Sequence, residues 1–209
     1  MNLIEITSPR GGLTEADRAA LAETIVSGLL TTGDEDVPEE TMRRARAMTH
    51  LGFRELDDWT TGDGPWRPPA APPLWLTITV PDTWREELAR HVIGWIRRAV
   101  RELDRRHGWQ RDPASLWINL TGIADGSIGL GGRPSTADEV LDHLTEEFRA
   151  NLDHGREIPE GRVVDPICGM LVRLGPRAIT LDHEGVTYGF CAETCRDAYA
   201  RRNSIAAAS

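Results

Sequence analysis

Pro73-Leu74-Trp75-Leu76-Thr77-Ile78-Thr79-Val80-Pro81 repeats, about seventy residues on, the pattern of Asn2-Leu3-Ile4-Glu5-Ile6-Thr7-Ser8-Pro9. Both stretches carry β-branched residues and alternate, as a strand with one buried face requires. Behind the first, Thr14 reads as a helix N-cap, with Glu15 and Asp17 near the positive end of the helix dipole. Leu21, Ile25, Val26 and Leu29 then recur at helical spacing. Behind the second, Asp82 or Thr83 is the expected cap, and Thr83 with Glu86 has the spacing of a capping box. Leu88, Val92, Ile96, Ala99 and Leu103 form an apolar stripe that Gly108 ends. Each helix leads to a further strand, over 45–56 with imperfect alternation and over 115–123 with strong β-favouring content.

The chain therefore holds a β-α-β unit twice, over about 2–60 and 73–135. Two such units pair into one four-stranded sheet with both helices on one face, an α+β fold. Residues 31–40 read as an acidic loop, and the Gly- and Pro-rich stretch 60–73 as an irregular connection. Ser135-Thr136-Ala137-Asp138 opens a third helix over 136–150, with Val140, Leu141, Leu144 and Phe148 on its buried side. Residues 1–153 form the first expected domain. A polar linker with Pro159 and Gly161 covers 154–162, a small ββα module spans 163–203, and the last residues fray.

Composition narrows the function classes. A net charge of −9 over 209 residues, with pI near 5.2, opposes non-specific nucleic-acid binding, which needs a basic surface. Met1-Asn2-Leu3-Ile4-Glu5 lacks the basic start and long apolar core of a secretory signal, and no apolar run approaches the length of a membrane span. A cytoplasmic protein without membrane or nucleic-acid partners is expected.

The three cysteines, Cys168, Cys191 and Cys195, are spaced C-x22-C-x3-C near the end of an otherwise cysteine-free chain. In a reducing compartment such a cluster points to metal rather than to disulfides, and an odd number cannot pair off completely. Residues 179–181 and 187–190 read as a hairpin, after which Cys191 and Cys195 fall at the start of a helix with both sulfurs on one side of its first turn. A helix N-terminus favours thiolates. Three thiolates suit Zn²⁺, with Cu(I) the alternative, and leave a fourth position for Asp165, His183, water or a partner's group.

Two resemblances add to this reading. Ala124-Asp125-Gly126-Ser127-Ile128-Gly129-Leu130-Gly131-Gly132, with the tandem β-α-β halves, resembles the 4-oxalocrotonate tautomerase superfamily over roughly residues 2–135. Turn geometry accounts for these glycines, and no Gly-Lys-Ser/Thr follows to make a phosphate loop. The resemblance implies a fused tautomerase that assembles as a trimer, and a catalytic N-terminal proline. Asn2 stands at that position here, and Pro73, its counterpart in the second half, has its nitrogen locked in an amide. Arg10 lies near where a family arginine would be expected, Arg133 lies just past the glycine turn, and both read as surface residues. Trp59 and Trp66 read as core or interface residues, with a pocket wall the alternative.

Asp165-Pro166-Ile167-Cys168-Gly169-Met170 followed by Tyr188-Gly189-Phe190-Cys191-x3-Cys195 resembles the YHS domain, one of the TRASH-like heavy-metal modules, over about 163–203. That resemblance implies a metal site on the three cysteines. The expected function is metal binding beside a catalytically altered tautomerase-like scaffold, in sensing, carriage or assembly. An isomerase, decarboxylase or hydratase acting on a small keto or unsaturated acid is one alternative, and a trimeric interaction module is the other.

Overall fold

In a computed structural model, which describes residues 2–30, 37–150 and 158–205, the alternating stretches are strands. In chain order the elements are β1 (Asn2–Pro9), α1 (Glu15–Leu30), α2 (Glu39–Ala47), β2 (Thr49–Leu56), β3 (Thr60–Thr61) and β4 (Gly64–Pro65). Then come β5 (Leu74–Pro81), α3 (Asp82–His107), β6 (Leu116–Ile123), β7 (Ile128–Leu130), β8 (Arg133–Ser135) and α4 (Ala137–Ala150). The last are β9 (Arg162–Val164), β10 (Leu171–Arg173), β11 (Ile179–His183), β12 (Val186–Phe190) and α5 (Glu193–Arg202). The chain divides into two compact units, Met1–Thr31 with Met48–Ile123, and Thr32–Ala47 with Ala124–Ser209.

The first unit holds the expected sheet, in the order β2-β1-β5-β6. β1 and β2 run parallel, β5 and β6 run parallel, and β1 meets β5 antiparallel with Ile4 opposite Ile78. This is the mixed, α+β arrangement that two β-α-β units predict. Alternation decides the faces: Ile4, Ile6, Leu74, Leu76, Ile78 and Val80 are buried against Leu21 and Ile25 of α1 and Val92, Ile96, Ala99 and Leu103 of α3. On the opposite face Leu3, Trp75 and Trp117 are 51, 53 and 60% exposed.

The helix ends show where local chemistry decides. Thr14 Oγ1 accepts from the Asp17 amide at 3.1 Å, and Asp17 Oδ2 accepts from the Thr14 amide at 3.0 Å, a reciprocal cap at the expected place. Gly108 closes α3 in the left-handed region, φ 66°, with its amide bonded back to the last turn. The start of α3 differs from expectation. β5 runs straight into the helix, Pro81 is the N-cap, and no side chain caps it, so Thr83 and Glu86 form no box. Asp82 is already helical, and its carboxylate takes a hydrogen bond from Arg85 Nε at 2.9 Å.

Asp17 gives this unit a pH dependence. Burial pushes its carboxyl up, but hydrogen bonds from His107 Nε2 (2.7 Å) and from Thr14 outweigh that and leave it below the ordinary value of 3.8. A depressed carboxylate contributes stability above its unfolded pKa and loses it as pH falls through the folded one. Asp17→Asn is therefore expected to flatten the fall of thermal stability below about pH 4, read by melting curves. An unchanged profile would refute the linkage.

The second unit contains an element absent from the sequence reading. Residues 39–47, assigned to the end of a loop and the start of a strand, form α2, and β2 begins only at Thr49. Glu39 and Glu40 in the first turn and Arg44 and Arg46 in the last suit the helix dipole. Arg43 and Arg44 bind Glu147 of α4. The remainder of the acidic loop, residues 31–36, lies outside the described residues, as do 154–157 of the expected linker and 206–209 of the expected tail. The glycine cluster forms the β7–β8 hairpin, with Gly131 and Gly132 both at positive φ. α4 starts at the expected place, where Thr136 and Glu139 exchange hydrogen bonds of 2.7 and 3.2 Å. Val140, Leu141 and Phe148 are buried, as expected, and Leu144 is partly so.

Candidate metal centre

Two antiparallel hairpins and a helix carry the cysteines. The β9–β10 hairpin is closed by the loop Asp165–Met170, where the Asp165 amide donates to Met170 O and the Gly169 amide to Asp165 O, each at 2.9 Å. Gly169 sits at φ +79°, with Phe148 of α4 so near that an added Cβ would lie 2.3 Å from its ring. Only glycine combines that backbone with that approach. The β11–β12 hairpin follows, turning at Glu184 and Gly185, and delivers Cys191 directly after β12. Cys191 stands ahead of the N-cap Ala192 rather than inside the helix, because β12 ends at Phe190 and α5 begins only at Glu193; Cys195 lies in the first turn. Ala198 of α5 is fully buried, and Tyr199 packs on Tyr188 and Phe190.

These elements bring all three sulfurs together. Cys168 Sγ lies 3.4 Å from Cys191 Sγ, which lies 3.7 Å from Cys195 Sγ. None is in a disulfide. With Asp165 the ligand atoms all fall within 4.8 Å of one another, so the cluster can hold a metal ion. Three sulfurs at about 2.3 Å from a tetrahedral Zn²⁺ stand about 3.8 Å apart, so the observed separations fit that ion with little adjustment.

Asp165 has a second task that its fully buried position explains. Its Oδ1 accepts from the amides of Ile167 at 2.8 Å and Cys168 at 3.3 Å, and its Oδ2 from the amide of Cys191 at 2.9 Å. One carboxylate thus ties the first cysteine loop to the second. Burial, and secondarily the charge of Cys168, push its carboxyl up to about 6. The sulfurs divide their protons unequally. Hydrogen bonds from Cys191 and Cys195 hold Cys168 well below the ordinary thiol range, and the same contacts with Cys168 raise both partners. A divalent cation bound there would displace the protons that the sulfurs carry.

His183, the other candidate for a fourth ligand, is elsewhere. Its Nδ1 lies 3.3 Å from Tyr199 Oη and its ring meets Tyr199 edge-on, so it belongs to the aromatic cluster rather than to the cysteines.

The first unit has a cavity of its own, about 880 Å³, lined by Trp59, Trp66, Trp75 and Trp117 with Arg67 and Pro73. Trp59 and Trp66 are half-buried and form its wall, the pocket alternative of the sequence reading. Trp66 Nε1 donates to Ala70 O at 3.2 Å and Trp117 Nε1 to Ala114 O at 2.9 Å, which fixes both rings. Neither expected arginine lines the cavity: Arg10 pairs with Asp57, and Arg133 lies in β8 of the other unit. The side chain of Asn2 lies outside the described residues.

No family model and no curated protein matches this chain. Among solved structures it is similar to Pt0534 inactivated by 2-oxo-3-pentynoate, at 14% identity and a TM-score of 0.48, over 66% of this chain and 98% of that one. A symmetric trimer of the fused 4-OT designated Q0 is similar at 17% identity and a TM-score of 0.43, over 64% and 94%. Macrophage migration inhibitory factor of Toxoplasma gondii is similar at 14% identity and a TM-score of 0.39, over 63% and 98%.

Proposed function

We propose that this chain is a metal-binding protein in which Cys168, Cys191 and Cys195 hold one thiophilic cation, with Zn²⁺ favoured over Cu(I). The observation that carries the proposal is the convergence of three sulfurs at 3.4 and 3.7 Å around a buried carboxylate that accepts from both cysteine segments. Free thiols need neither that convergence nor that tie. The module over 163–203 is read as a YHS-type site, and the role as sensing, carriage or assembly of metal in a reducing, cytoplasmic setting. When bound, zinc would cross-link the two hairpins and α5 through three strong bonds. Untagged protein is expected to carry about one equivalent of metal per chain by elemental analysis after gel filtration. Content below about a tenth of that, even after supply of zinc or of Cu(I) under reducing conditions, would refute the reading.

The body 1–153 is read as a tautomerase-like scaffold without its catalytic amine. Among the residues lining its tryptophan cavity the sole arginine is Arg67, so the converging arginines that a small keto acid would call for are not assembled there. The sheet face on which Leu3, Trp75 and Trp117 are more than half exposed supports self-association, and a trimer is the proposed state. Sedimentation equilibrium is expected to give three times the chain mass of 23.2 kDa. A monomer at micromolar concentration would refute the assembly without touching the metal site. Among the described residues no helix is long and apolar enough to cross a membrane.

A further inference from the structure

Of the three cysteines, Cys168 and Cys195 are closed off, at 8 and 4% exposure, whereas Cys191 is only half-buried and opens onto a cavity of about 540 Å³. Met170, Leu171, Ile179 and Phe190 give that cavity apolar walls, and Arg173 and Arg177 stand in it as its charged groups. Both arginines are exposed, and neither guanidinium has a hydrogen-bond or ion-pair partner among the described residues. In a chain of net charge −9, where Arg10, Arg43, Arg44, Arg111 and Arg201 all bind carboxylates, two free guanidiniums at one opening form a local anion-binding contrast. The protein's own candidates for the fourth corner are engaged: Asp165 has both oxygens on backbone amides, and His183 is with Tyr199.

We propose that the cavity beside Cys191 admits an anionic low-mass thiol, whose carboxylates are held by Arg173 and Arg177 and whose sulfur supplies the fourth donor to the cation. This rests on the metal reading above. Sulfur is the matching donor because three thiolates select a thiophilic cation; a carboxylate alone suits the guanidiniums but not that cation, and a neutral alcohol suits neither. The thiol gives its proton to solvent and a sulfur electron pair to the cation, and nothing is oxidised or reduced. The cysteine module would then exchange metal with small-molecule thiol complexes through one face, with Cys191 as the entry sulfur.

The test uses the full chain loaded with equimolar Co²⁺, a spectroscopic stand-in for Zn²⁺, and titrated with mercaptosuccinate, 2-mercaptoethanol or succinate. Mercaptosuccinate is expected to raise the sulfur-to-cobalt charge-transfer absorption by about one third, from three sulfurs to four. It should half-saturate at a concentration about tenfold lower than 2-mercaptoethanol does, and succinate should leave the band unchanged. The double variant Arg173→Gln/Arg177→Gln should lose that tenfold preference while keeping its cobalt band and its response to 2-mercaptoethanol. The proposal is overturned if no thiol raises the band, if the two thiols act at equal concentration, if the double variant keeps the preference, or if cobalt leaves the protein. A chain that shows no cobalt–sulfur band before any thiol is added counts against the metal reading itself, and this proposal falls with it.

Discussion

Cys168→Ser is expected to lower zinc affinity on the order of a thousandfold, about 4 kcal/mol, and to leave the purified chain with little metal. The change is nearly isosteric, so packing around the loop is kept and the effect reports the lost donor. Cys168 is 8% exposed, and hydrogen bonds from its two neighbours lower its thiol pKa, so it gives up its proton to a cation more readily than they do. A serine hydroxyl at that place is a poor donor to zinc and offers no charge. Because the cation binds the folded module and not the unfolded chain, its loss also removes folding free energy, about 4 kcal/mol where free metal stands at a thousand times the dissociation constant. A module this small buries little apolar surface, so the cost should be plain in a melting curve. Wild-type protein treated with a strong chelator should melt like the variant. Equal metal content and equal melting in variant and wild type would refute the ligand assignment.

How much of this is readable in the chain depends on the range of the cause. The sheet is legible because Ile4 and Ile6, and Leu74, Leu76, Ile78 and Val80, alternate with polar or exposed residues, so periodicity alone assigns their faces. The cap at Thr14 and the stop at Gly108 are likewise local chemistry. α2 is not legible by that route. Its one buried residue is Thr41, so no apolar stripe announces it, and Arg43 and Arg44 are paired with Glu147, about a hundred residues away. The junction of β5 and α3 defeats local reading for another reason. Asp82 and Thr83 both suit a cap, but Pro81 already carries the chain from strand to helix in extended geometry, φ −55° and ψ 136°.

The site divides in the same way. Spacing and residue type are enough to group Cys168, Cys191 and Cys195. They do not reveal that Cys191 stands outside α5, nor that His183 turns to Tyr199, since a histidine near a hairpin tip is compatible with either partner in sequence. They also do not show what α4 does. Arg201 and Arg202 of α5 bind Asp138 and Asp142 of α4, and Phe148 closes on Gly169, so the helix read with the first domain packs on the cysteine module. Asp138 is correspondingly held below the ordinary carboxylate range by its hydrogen bonds from Arg201.

Asp165→Ala is expected to be the most damaging single substitution in this unit, even in metal-free protein. The carboxylate is fully buried and accepts from the amides of Ile167, Cys168 and Cys191, and its removal would leave those donors without their partner. An unsatisfied buried donor costs about 1–3 kcal/mol. Partial relaxation and the relief of burying a charge offset some of this, which leaves a loss of about 3 kcal/mol or more. Asp165→Asn keeps one carbonyl oxygen toward Ile167 and Cys168 but sets an amide N–H₂ against the Cys191 amide, so an intermediate loss is expected. Urea unfolding of chelated wild type, Asp165→Asn and Asp165→Ala orders the three, and hydrogen exchange at the Cys191 amide reads the specific bond, which should exchange faster in both variants. The comparison also separates the two roles open to this residue. If Asp165 were chiefly a metal ligand, the chelated alanine variant would unfold at the wild-type urea concentration and lose stability only when zinc is added back to wild type. If it is the tie between the cysteine segments, the loss is present without metal, and zinc affinity falls because Cys168 and Cys191 are no longer held 3.4 Å apart.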